Sequence, residues 1–294
     1  MPSVPSTKLR IRQKLGKYRI EKRLGEGGFA SVFQAMDTIM GTRVALKIPH
    51  EPLVDDQLLA SFRKESRLLA TVDHPGILQI KDASIINGRL VISFPLGMET
   101  LFDRLSRRMS FDTTMLLIDQ LMEAVAFAHE RKVIHCDIKP ENVILFADGS
   151  ARLADFGIAK VARQTIKGCG TGTVGYMAPE QAMGRPSCRS DVFSLGLVFY
   201  RMLAGQWPEW PYEWPLPGYQ KLKTRVPQSM IAWLRKSIEI NGAKRFPDAV
   251  RMRNAFMRIR PEATRFVEKQ RAKKRAQRNS DTARQSKVRT RRAA

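Results

Sequence analysis

Cysteine is scarce in this chain of 294 residues. The three cysteines, Cys136, Cys169 and Cys188, are an odd number and lack the spacing of metal ligands. The scarcity argues against a fold held together by disulfides. It fits a reducing compartment, so we expect a cytoplasmic location.

Long apolar runs are also missing. No run approaches the roughly 20 residues that a membrane-spanning helix needs, so we expect no membrane span. Residues 1–14 lack the apolar core of a signal peptide. With 43% hydrophobic and 27% charged residues, the composition is that of a soluble globular protein. The length allows about two lobes or domains with real cores.

Acidic residues are also few. The chain has 28 Asp and Glu but 51 Lys and Arg, which gives a formal net charge of +23. The excess lies at the two ends, in residues 1–23 and 264–294. We expect residues 1–17 to form a basic, poorly ordered arm. We expect residues 263–294 to form a basic tail, partly helical from Glu262 to about Arg278 and disordered beyond it. Such a tail is either a solvated segment or a surface for nucleic acid or another acidic partner.

One short segment organises the rest of the chain: residues 135–142, His-Cys-Asp-Ile-Lys-Pro-Glu-Asn. It places an acid, a base and an amide within eight residues. Two apolar runs follow, residues 143–146 and 151–154, with Asp148 and Gly149 between them. An Asp-Gly pair between apolar runs predicts a β-hairpin.

The predicted hairpin would bring Asn142 close to Asp155 of the sequence Asp-Phe-Gly. Two oxygen ligands at that separation suit Mg²⁺, which takes its remaining ligands from phosphate and water. Asp137 would then lie beside a metal–phosphate site, where it would accept a proton. The sequence therefore predicts acid–base chemistry on a phosphate compound.

A glycine-rich run lies upstream, Leu-Gly-Glu-Gly-Gly-Phe-Ala at residues 24–30. Glycines let a backbone approach phosphate groups closely and turn its N–H groups toward their oxygens. The run alone is a weak signal for a phosphate loop. Lys47 follows in a strand-like pattern, where burial of its charge is costly unless it is paired.

The sequence at 135–142, followed by Asp-Phe-Gly at 155–157, resembles the catalytic loop and the metal-binding motif of protein kinases. The resemblance covers roughly Tyr18 to Met257 and is greatest to the eukaryotic-like serine/threonine kinases of bacteria. It implies transfer of the γ-phosphoryl group of ATP to Ser and Thr hydroxyls of proteins, including autophosphorylation. The implied cofactors are ATP and Mg²⁺, or Mn²⁺ in its place.

The resemblance also implies an α+β fold of two lobes, the protein kinase fold. The kinase domain would span residues 18–262. Its small β-rich N-lobe, at about residues 18–93, would contain one main helix at about residues 55–72. Its larger, mostly helical C-lobe would span about residues 97–262.

Residue roles follow from the resemblance. Asp137 would take the proton of the substrate hydroxyl, Lys139 would neutralise the transferring phosphoryl group, and Asn142 and Asp155 would bind metal. His135 would be structural, stacked beside Phe156. The implied catalytic residues are Asp137, Lys139, Asn142, Lys47, its ion-pair partner Glu65, and Thr173. The implied nucleotide-binding residues are Leu24, Gly25, Glu26, Gly27, Gly28, Val32, Ala45 and Lys47.

Several positions depart from the family pattern. Ala30 replaces a glycine, which predicts a stiffer phosphate loop. Cys136 stands where many kinases carry an arginine that pairs with a phosphate on the activation loop. We therefore expect activity not to depend, through that contact, on phosphorylation of Thr165 or Thr171.

The crossing between the lobes departs as well, because Pro95 has no backbone N–H. Ser93 or Phe94 stands where many kinases carry a glutamate, and two registers remain open. In one, Pro95 occupies the position that donates to adenine, and a hydrogen bond worth about 0.5–1.5 kcal/mol is missing. In the other, Leu96 donates normally.

Two features remain in the C-lobe. Glu180 needs a buried partner, for which the family pattern supplies Arg245. Residues 205–219 contain three Trp, two Tyr and four Pro, and they are either a loop packed over the lobe or a docking surface for a protein partner.

Two other functions remain as alternatives. A pseudokinase scaffold is disfavoured because all of the residues that the resemblance requires for transfer are present. A nucleic-acid-associated protein would act through its basic ends and is compatible with kinase activity.

Overall fold

The computed structural model describes residues 9–28, 30–50, 72–156 and 174–293. They form an antiparallel sheet and a mostly helical body, which confirms the predicted α+β fold of two lobes. Within the described residues, no helix is both long and apolar enough to cross a membrane.

The N-lobe sheet has six antiparallel strands in the order β1-β2-β3-β4-β6-β5. Their bounds are β1 Lys14–Leu15, β2 Tyr18–Glu26, β3 Ala30–Asp37, β4 Thr42–Pro49, β5 Asp82–Ile86 and β6 Arg89–Pro95. Buried positions alternate along β3 and β4, as expected of strands with one face on a core. Ala35, Val44 and Leu46 lie in that core and are almost completely buried.

The first strand belongs to a segment that the charge pattern assigns to a disordered arm. Lys14–Leu15 pairs with β2, and Leu15 is 2% exposed. Lys17 forms ion pairs with Asp82 at 3.0 Å and with Asp37 at 3.4 Å. Lys14 and Leu15 are thus part of the sheet, and Lys17 in the turn that follows is held by two carboxylates.

The hairpin between β5 and β6 turns at Asn87 and Gly88, whose φ angles are 53° and 73°. Two consecutive positive φ angles are what an Asn-Gly hairpin turn requires. In the sequence, this Asn-Gly pair predicts a strand on each side of it, at about residues 78–83 and 89–94. The second strand is confirmed. The first is found at Asp82–Ile86 instead, because Leu78 donates its N–H to Leu153 of the C-lobe.

The C-lobe contains a small sheet in the order β7-β8-β9, with bounds Glu99–Thr100, Val143–Leu145 and Ala151–Leu153. Val143 pairs with Leu153, which confirms the hairpin predicted from Asp148-Gly149. Gly149 has a φ of 80° at the turn, a conformation that costs glycine little.

Helices make up the rest of the C-lobe. Their bounds are α1 Leu101–Arg104, α2 Phe111–Glu130, α3 Pro179–Ala182, α4 Cys188–Ala204, α5 Tyr219–Arg225, α6 Gln228–Ser237 and α7 Ala249–Ala293. Short 3₁₀ turns occur at Pro140–Asn142, Val174–Tyr176 and Gly242–Lys244. Helix α4 is the centre of the lobe, since its residues 190–200 are all buried.

Helix α7 continues through the basic tail to Ala293, so residues 279–293 are helical where the sequence predicts disorder. After Pro261 the sequence has no Gly or Pro and is rich in Arg, Lys, Ala and Gln, which are strong helix formers. Arg260 and Arg271 attach the helix to Asp119 and Asp112 of α2, at 2.8 and 2.9 Å.

Candidate active site

The catalytic loop between α2 and β8 is anchored by a buried carboxylate. Asp191, in the first turn of α4, is 1% exposed. Its two oxygens accept the backbone N–H groups of His135 at 2.7 Å and of Cys136 at 2.8 Å. Cys136 has a φ of 66°, which is unusual for a residue with a side chain. The carboxylate therefore holds the loop in a tight turn immediately before Asp137.

A buried histidine completes this anchor. His129 Nε2 lies 3.0 Å from Asp191, and the backbone N–H of Ala249 donates to His129 Nδ1 at 3.0 Å. Because Nδ1 accepts, the ring proton is on Nε2 and points to the carboxylate. Asp191 thus connects α2, α4, the start of α7 and the catalytic loop.

Asp137 is surrounded by the groups that the sequence predicts beside it. Lys139 Nζ lies 3.1 Å from Asp137 Oδ2. The amide of Asn142 donates to the same oxygen at 3.0 Å and to the Asp137 carbonyl at 2.8 Å. The backbone N–H of Asp137 donates to His135 Nδ1 at 3.1 Å. The carboxylate is thereby fixed in position beside one cation and one amide.

His135 lies beside Phe156, as the resemblance implies, although the two rings are edge-on and not stacked. Its Nε2 lies 2.9 Å from the carbonyl of Ala154, and its ring stands edge-on to Phe156 at 4.5 Å. The ring is 1% exposed. Buried between the loop and the Asp-Phe-Gly motif, it is a packing group.

The two predicted metal ligands lie at the open end of the β8–β9 hairpin. Ala154, next to Asp155, donates its N–H to the carbonyl of Asn142 at 2.7 Å. Because the Asn142 amide nitrogen is engaged with Asp137, its Oδ1 is the atom that can face a cation. One amide oxygen and one carboxylate fit a hard divalent cation that keeps phosphate and water as its other ligands.

Lys47 on β4 faces this end of the hairpin. Its Nζ lies 2.5 Å from Asp155 Oδ1, and the Lys47 side chain is 16% exposed. Burial alone would raise the pKa of the Asp155 carboxyl, but the charge and hydrogen bond of Lys47 lower it. The site therefore holds an ionised carboxylate beside a lysine, although the predicted partner of that lysine was Glu65.

Four of the predicted residues fall outside the described part of the chain. They are Glu65 on the predicted helix at 55–72, Thr173, and the candidate phosphorylation sites Thr165 and Thr171.

The glycine-rich run covers the last residues of β2, 24–26, and Gly27 and Gly28 after them. Gly25 pairs with Val32, and the Gly27 N–H donates to the Ala30 carbonyl at 2.9 Å. His50, which follows β4, places its Nε2 2.8 Å from the Gly27 carbonyl. Sequence reasoning missed His50, because nothing in its spacing relates it to the run.

Three of the predicted nucleotide-binding residues share one face of the sheet, since Val32 of β3 pairs with Lys47 of β4 and Ala45 lies two residues before Lys47. Leu24 is 44% exposed, and both Glu26 and Gly28 are exposed. Ala45 pairs with Phe94 across β4 and β6. An open, partly apolar face under a glycine turn can accept a flat base and its phosphates.

Strand β6 extends through Pro95, which pairs with Val44. The carbonyl of Ser93 accepts the N–H of Lys81 at 2.8 Å. Backbone groups of alternate strand residues point the same way, so Ser93 and Pro95 share one edge. At that edge Pro95 offers no donor.

The predicted pair of Glu180 and Arg245 is confirmed. Arg245 Nη1 and Nη2 lie 2.6 and 3.0 Å from the two oxygens of Glu180. Ser190 donates its hydroxyl to the same carboxylate at 2.9 Å. Arg245 is 3% exposed, and its guanidinium lies 4.6 Å above the ring of Phe193. The pair ties helix α3 to the end of the lobe.

Gln181 on α3 is a second residue that sequence reasoning missed. Its amide donates to the carbonyl of Cys136 at 2.5 Å. The segment that carries Glu180 therefore also contacts the catalytic turn. A periodic sequence pattern cannot predict this contact, because the contact depends on where a single-turn helix lies in the folded chain.

The chain matches the model of the protein kinase domain over residues 18–287. It is 34% identical to a probable serine/threonine-protein kinase PknB of Lactococcus lactis over 202 residues, which are 65% of this chain and 32% of that protein. It is 37% identical to the serine/threonine-protein kinase PknA of Mycobacterium tuberculosis over 207 residues, 66% of this chain and 48% of that one.

Among solved structures, the kinase domain of Mycobacterium tuberculosis PknI superposes with a TM-score of 0.64 at 23% identity. The match covers 86% of this chain and 99% of that domain. The chain spans less than half the length of the curated relatives named above.

Proposed function

The chain belongs to the protein kinase domain family, and we propose that it transfers the γ-phosphoryl group of ATP to Ser and Thr hydroxyls of protein substrates. The observation that carries the proposal is the fixed Asp137 carboxylate, 3.1 Å from Lys139 and 3.0 Å from the Asn142 amide. Family membership implies ATP and a divalent cation. The substrates include the chain itself, through autophosphorylation.

In the proposed mechanism, Asp137 orients the acceptor hydroxyl and takes its proton as the oxygen attacks the γ-phosphorus. Lys139 offsets the charge that develops on the transferred group. Lys47 holds the α- and β-phosphates, and Asp155 keeps it in place. Preorganised charges of this kind supply most of the rate enhancement in phosphoryl transfer.

Asn142 and Asp155 would hold the divalent cation, which when bound neutralises phosphate charge. We propose Mg²⁺, because two oxygen ligands leave most of its coordination to phosphate and water, with Mn²⁺ as the substitute. The nucleotide would lie under the glycine turn of residues 24–28, against Val32 and Ala45. Glu65 and Thr173 keep the roles that the family resemblance gives them, as ion-pair partner of Lys47 and as a contact of Asp137.

The experiment is transfer of labelled phosphate from Mg-ATP to the protein itself and to myelin basic protein. Wild type is compared with Asp137→Ala and with Asp73→Ala, which removes an exposed carboxylate. We expect label on Ser and Thr that falls about 100-fold or more in Asp137→Ala and is retained in Asp73→Ala. A folded, ATP-binding wild type without transfer would refute the proposal and favour a scaffold.

We also propose the domain limits of residues 18–262 and a cytoplasmic place of action, where ATP is available. The basic residues that follow carry a second candidate role. Residues 271–277 on α7 are exposed, and four of the seven are Lys or Arg. A surface of this charge suits nucleic acid or another acidic partner.

This second role has its own test. Replacing Lys273, Lys274 and Arg275 by Glu should abolish salt-dependent binding of a labelled DNA duplex without changing phosphate transfer. Duplex binding that is unaffected by the triple replacement would exclude this surface.

A further inference from the structure

The Trp- and Pro-rich loop, residues 205–219, lies against the segment that leads into helix α3. The indole of Trp207 is so close to Gly175 that a β-carbon at that position would lie 2.5 Å from the ring. The Trp207 ring also stands edge-on to Tyr176, with 4.1 Å between centroids. Tyr212 donates its hydroxyl to the Gly175 carbonyl at 2.9 Å.

An arginine joins these aromatic groups on one side. Arg201 donates to the Tyr176 hydroxyl at 3.1 Å, and its guanidinium lies 4.6 Å from the centroid of the Trp207 ring. Burial raises the pKa of Tyr176, so its hydroxyl stays neutral and accepts this hydrogen bond. Tyr176 is 3% exposed.

The other side of the segment is held from below. Ser194 of α4 donates its hydroxyl to the Tyr176 carbonyl at 2.7 Å. The ring of Tyr212 packs edge-on against Phe193, with 5.4 Å between centroids. Gly175 and Tyr176 are thus held between the Trp- and Pro-rich loop on one side and helix α4 on the other.

The segment of Gly175 and Tyr176 lies beside the carboxylate of Asp137. A small cleft is lined by Asp137 and Ile138 of the catalytic loop and by Tyr176, Met177 and Gln181. An acceptor hydroxyl that reaches Asp137 would place its flanking residues beside Tyr176 and Met177. The position of the segment therefore affects where the acceptor lies.

We propose that Trp207 and Tyr212 are positioning residues that clamp Gly175 and Tyr176 and thereby set the binding of the protein acceptor. The inference rests on the proposed kinase function. The loop also offers a matched control, because Trp210 is 66% exposed and its ring contact is to Tyr212 rather than to the clamped segment.

The test compares Trp207→Ala, Trp207→Phe, Tyr212→Phe and Trp210→Ala in steady-state transfer from Mg-ATP to myelin basic protein. For Trp207→Ala we expect the acceptor KM to rise by about tenfold to 100-fold, as misplacement of a substrate contact does. The ATP KM should stay within about twofold of wild type, because the nucleotide side is untouched. Tyr212→Phe removes one hydrogen bond and should raise the acceptor KM by about two- to tenfold.

Trp207→Phe should restore most of the acceptor affinity, and Trp210→Ala should match wild type. An unchanged acceptor KM in Trp207→Ala would overturn the proposal. So would a joint loss of acceptor affinity, ATP affinity and thermal stability that Trp207→Phe does not restore, because that pattern shows a packing role alone.

Amide hydrogen exchange of residues 174–178 separates this inference from the kinase proposal. Exchange that is faster in Trp207→Ala than in Trp210→Ala supports the clamp, and equal exchange overturns it. This readout needs no transfer. An inactive wild type would therefore refute the proposed activity while the clamp is still decided by exchange.

Discussion

The two sides of the active site are held in different ways. On the lower side, Asp191 fixes two consecutive N–H groups of the catalytic loop, and Asn142 and Lys139 fix Asp137. On the upper side, residues 24–28 are held by the strand pairing of Gly25 with Val32 and Glu26 with Ser31, by a surface ion pair of Glu26 with Arg23, and by hydrogen bonds of Gly27. The lower groups are buried or half-buried, and residues 24–28 are exposed.

This difference indicates a division of labour. A proton acceptor must be oriented before the reaction, because a misplaced group loses the advantage of proximity. A cover over phosphates must admit and release the nucleotide, and segments that move are drawn from the less stable parts of a fold. We infer that the catalytic loop is formed before ligands bind, and that the glycine turn is ordered further by the nucleotide.

The largest effect should come from Arg245→Ala. It leaves Glu180 without the guanidinium that binds both its oxygens, and breaking a buried pair costs about 3–5 kcal/mol of unfolding free energy. Chemical denaturation followed by tryptophan fluorescence measures the loss. The control Arg251→Ala removes an ion pair whose arginine is 68% exposed, and it should cost under about 1 kcal/mol. If the two variants lost equal unfolding free energy, the pair of Glu180 and Arg245 would stabilise the C-lobe no more than an exposed ion pair does.

Asp191→Asn should have the next largest effect. The amide keeps one acceptor, so one of the two N–H groups of His135 and Cys136 loses its partner, at a cost of about 1–3 kcal/mol. We expect a lower kcat and an unchanged ATP KM, because the change lies on the lower side. The exposed carboxylate replaced in Asp73→Asn is the control. If Asp191→Asn raised the ATP KM and left kcat unchanged, the division of labour between the catalytic loop and the glycine turn would be contradicted.

Two features of the C-lobe can be predicted from the sequence, by different routes. The β8–β9 hairpin is predicted by the Asp148-Gly149 pair, since its turn chemistry is local. The pairing of Glu180 with Arg245, distant in the sequence, comes from the family resemblance and is confirmed. The hairpin follows from the residues of its turn, and the ion pair follows from the family pattern.

Other contacts depend on packing and leave no local signal. The carbonyl of Cys136 is bound by Gln181, and Gly175 lies against Trp207, through tertiary positions that no periodic pattern determines. The end of the tail differs from its prediction for another reason. The charge of residues 279–293 predicts disorder, but they continue helix α7 and are rich in residues that favour a helix.

Pro95→Ala addresses the upper side and should have a smaller effect. The replacement adds a backbone N–H at the edge that Pro95 shares with Ser93. If that edge faces adenine, one new hydrogen bond of about 0.5–1.5 kcal/mol lowers the ATP KM by about two- to tenfold. Pro75→Ala makes the same change in an exposed turn and should leave the ATP KM unaltered. An unchanged KM in Pro95→Ala would favour the register in which Leu96 donates.

The smallest effect concerns pH. Burial opposes ionisation of Glu180, but Arg245 and Ser190 hold its pKa below the ordinary value of 4.5. A lowered pKa in the folded state gives stability that is present above pH 4.5 and is lost as the pH falls through the folded pKa. The unfolding midpoint of Glu180→Gln should therefore fall less steeply than that of wild type below pH 4.5. Identical slopes would show that this carboxylate contributes nothing to acid denaturation.

Amide hydrogen exchange without nucleotide, and again with Mg-ATP, tests the division between the two sides most directly. We predict that His135 and Cys136 are protected in the ligand-free protein and change little on addition of Mg-ATP. Residues 25–28 should exchange rapidly without nucleotide and become protected with it. Rapid exchange at His135 and Cys136 that slows only with Mg-ATP would contradict a preformed catalytic loop.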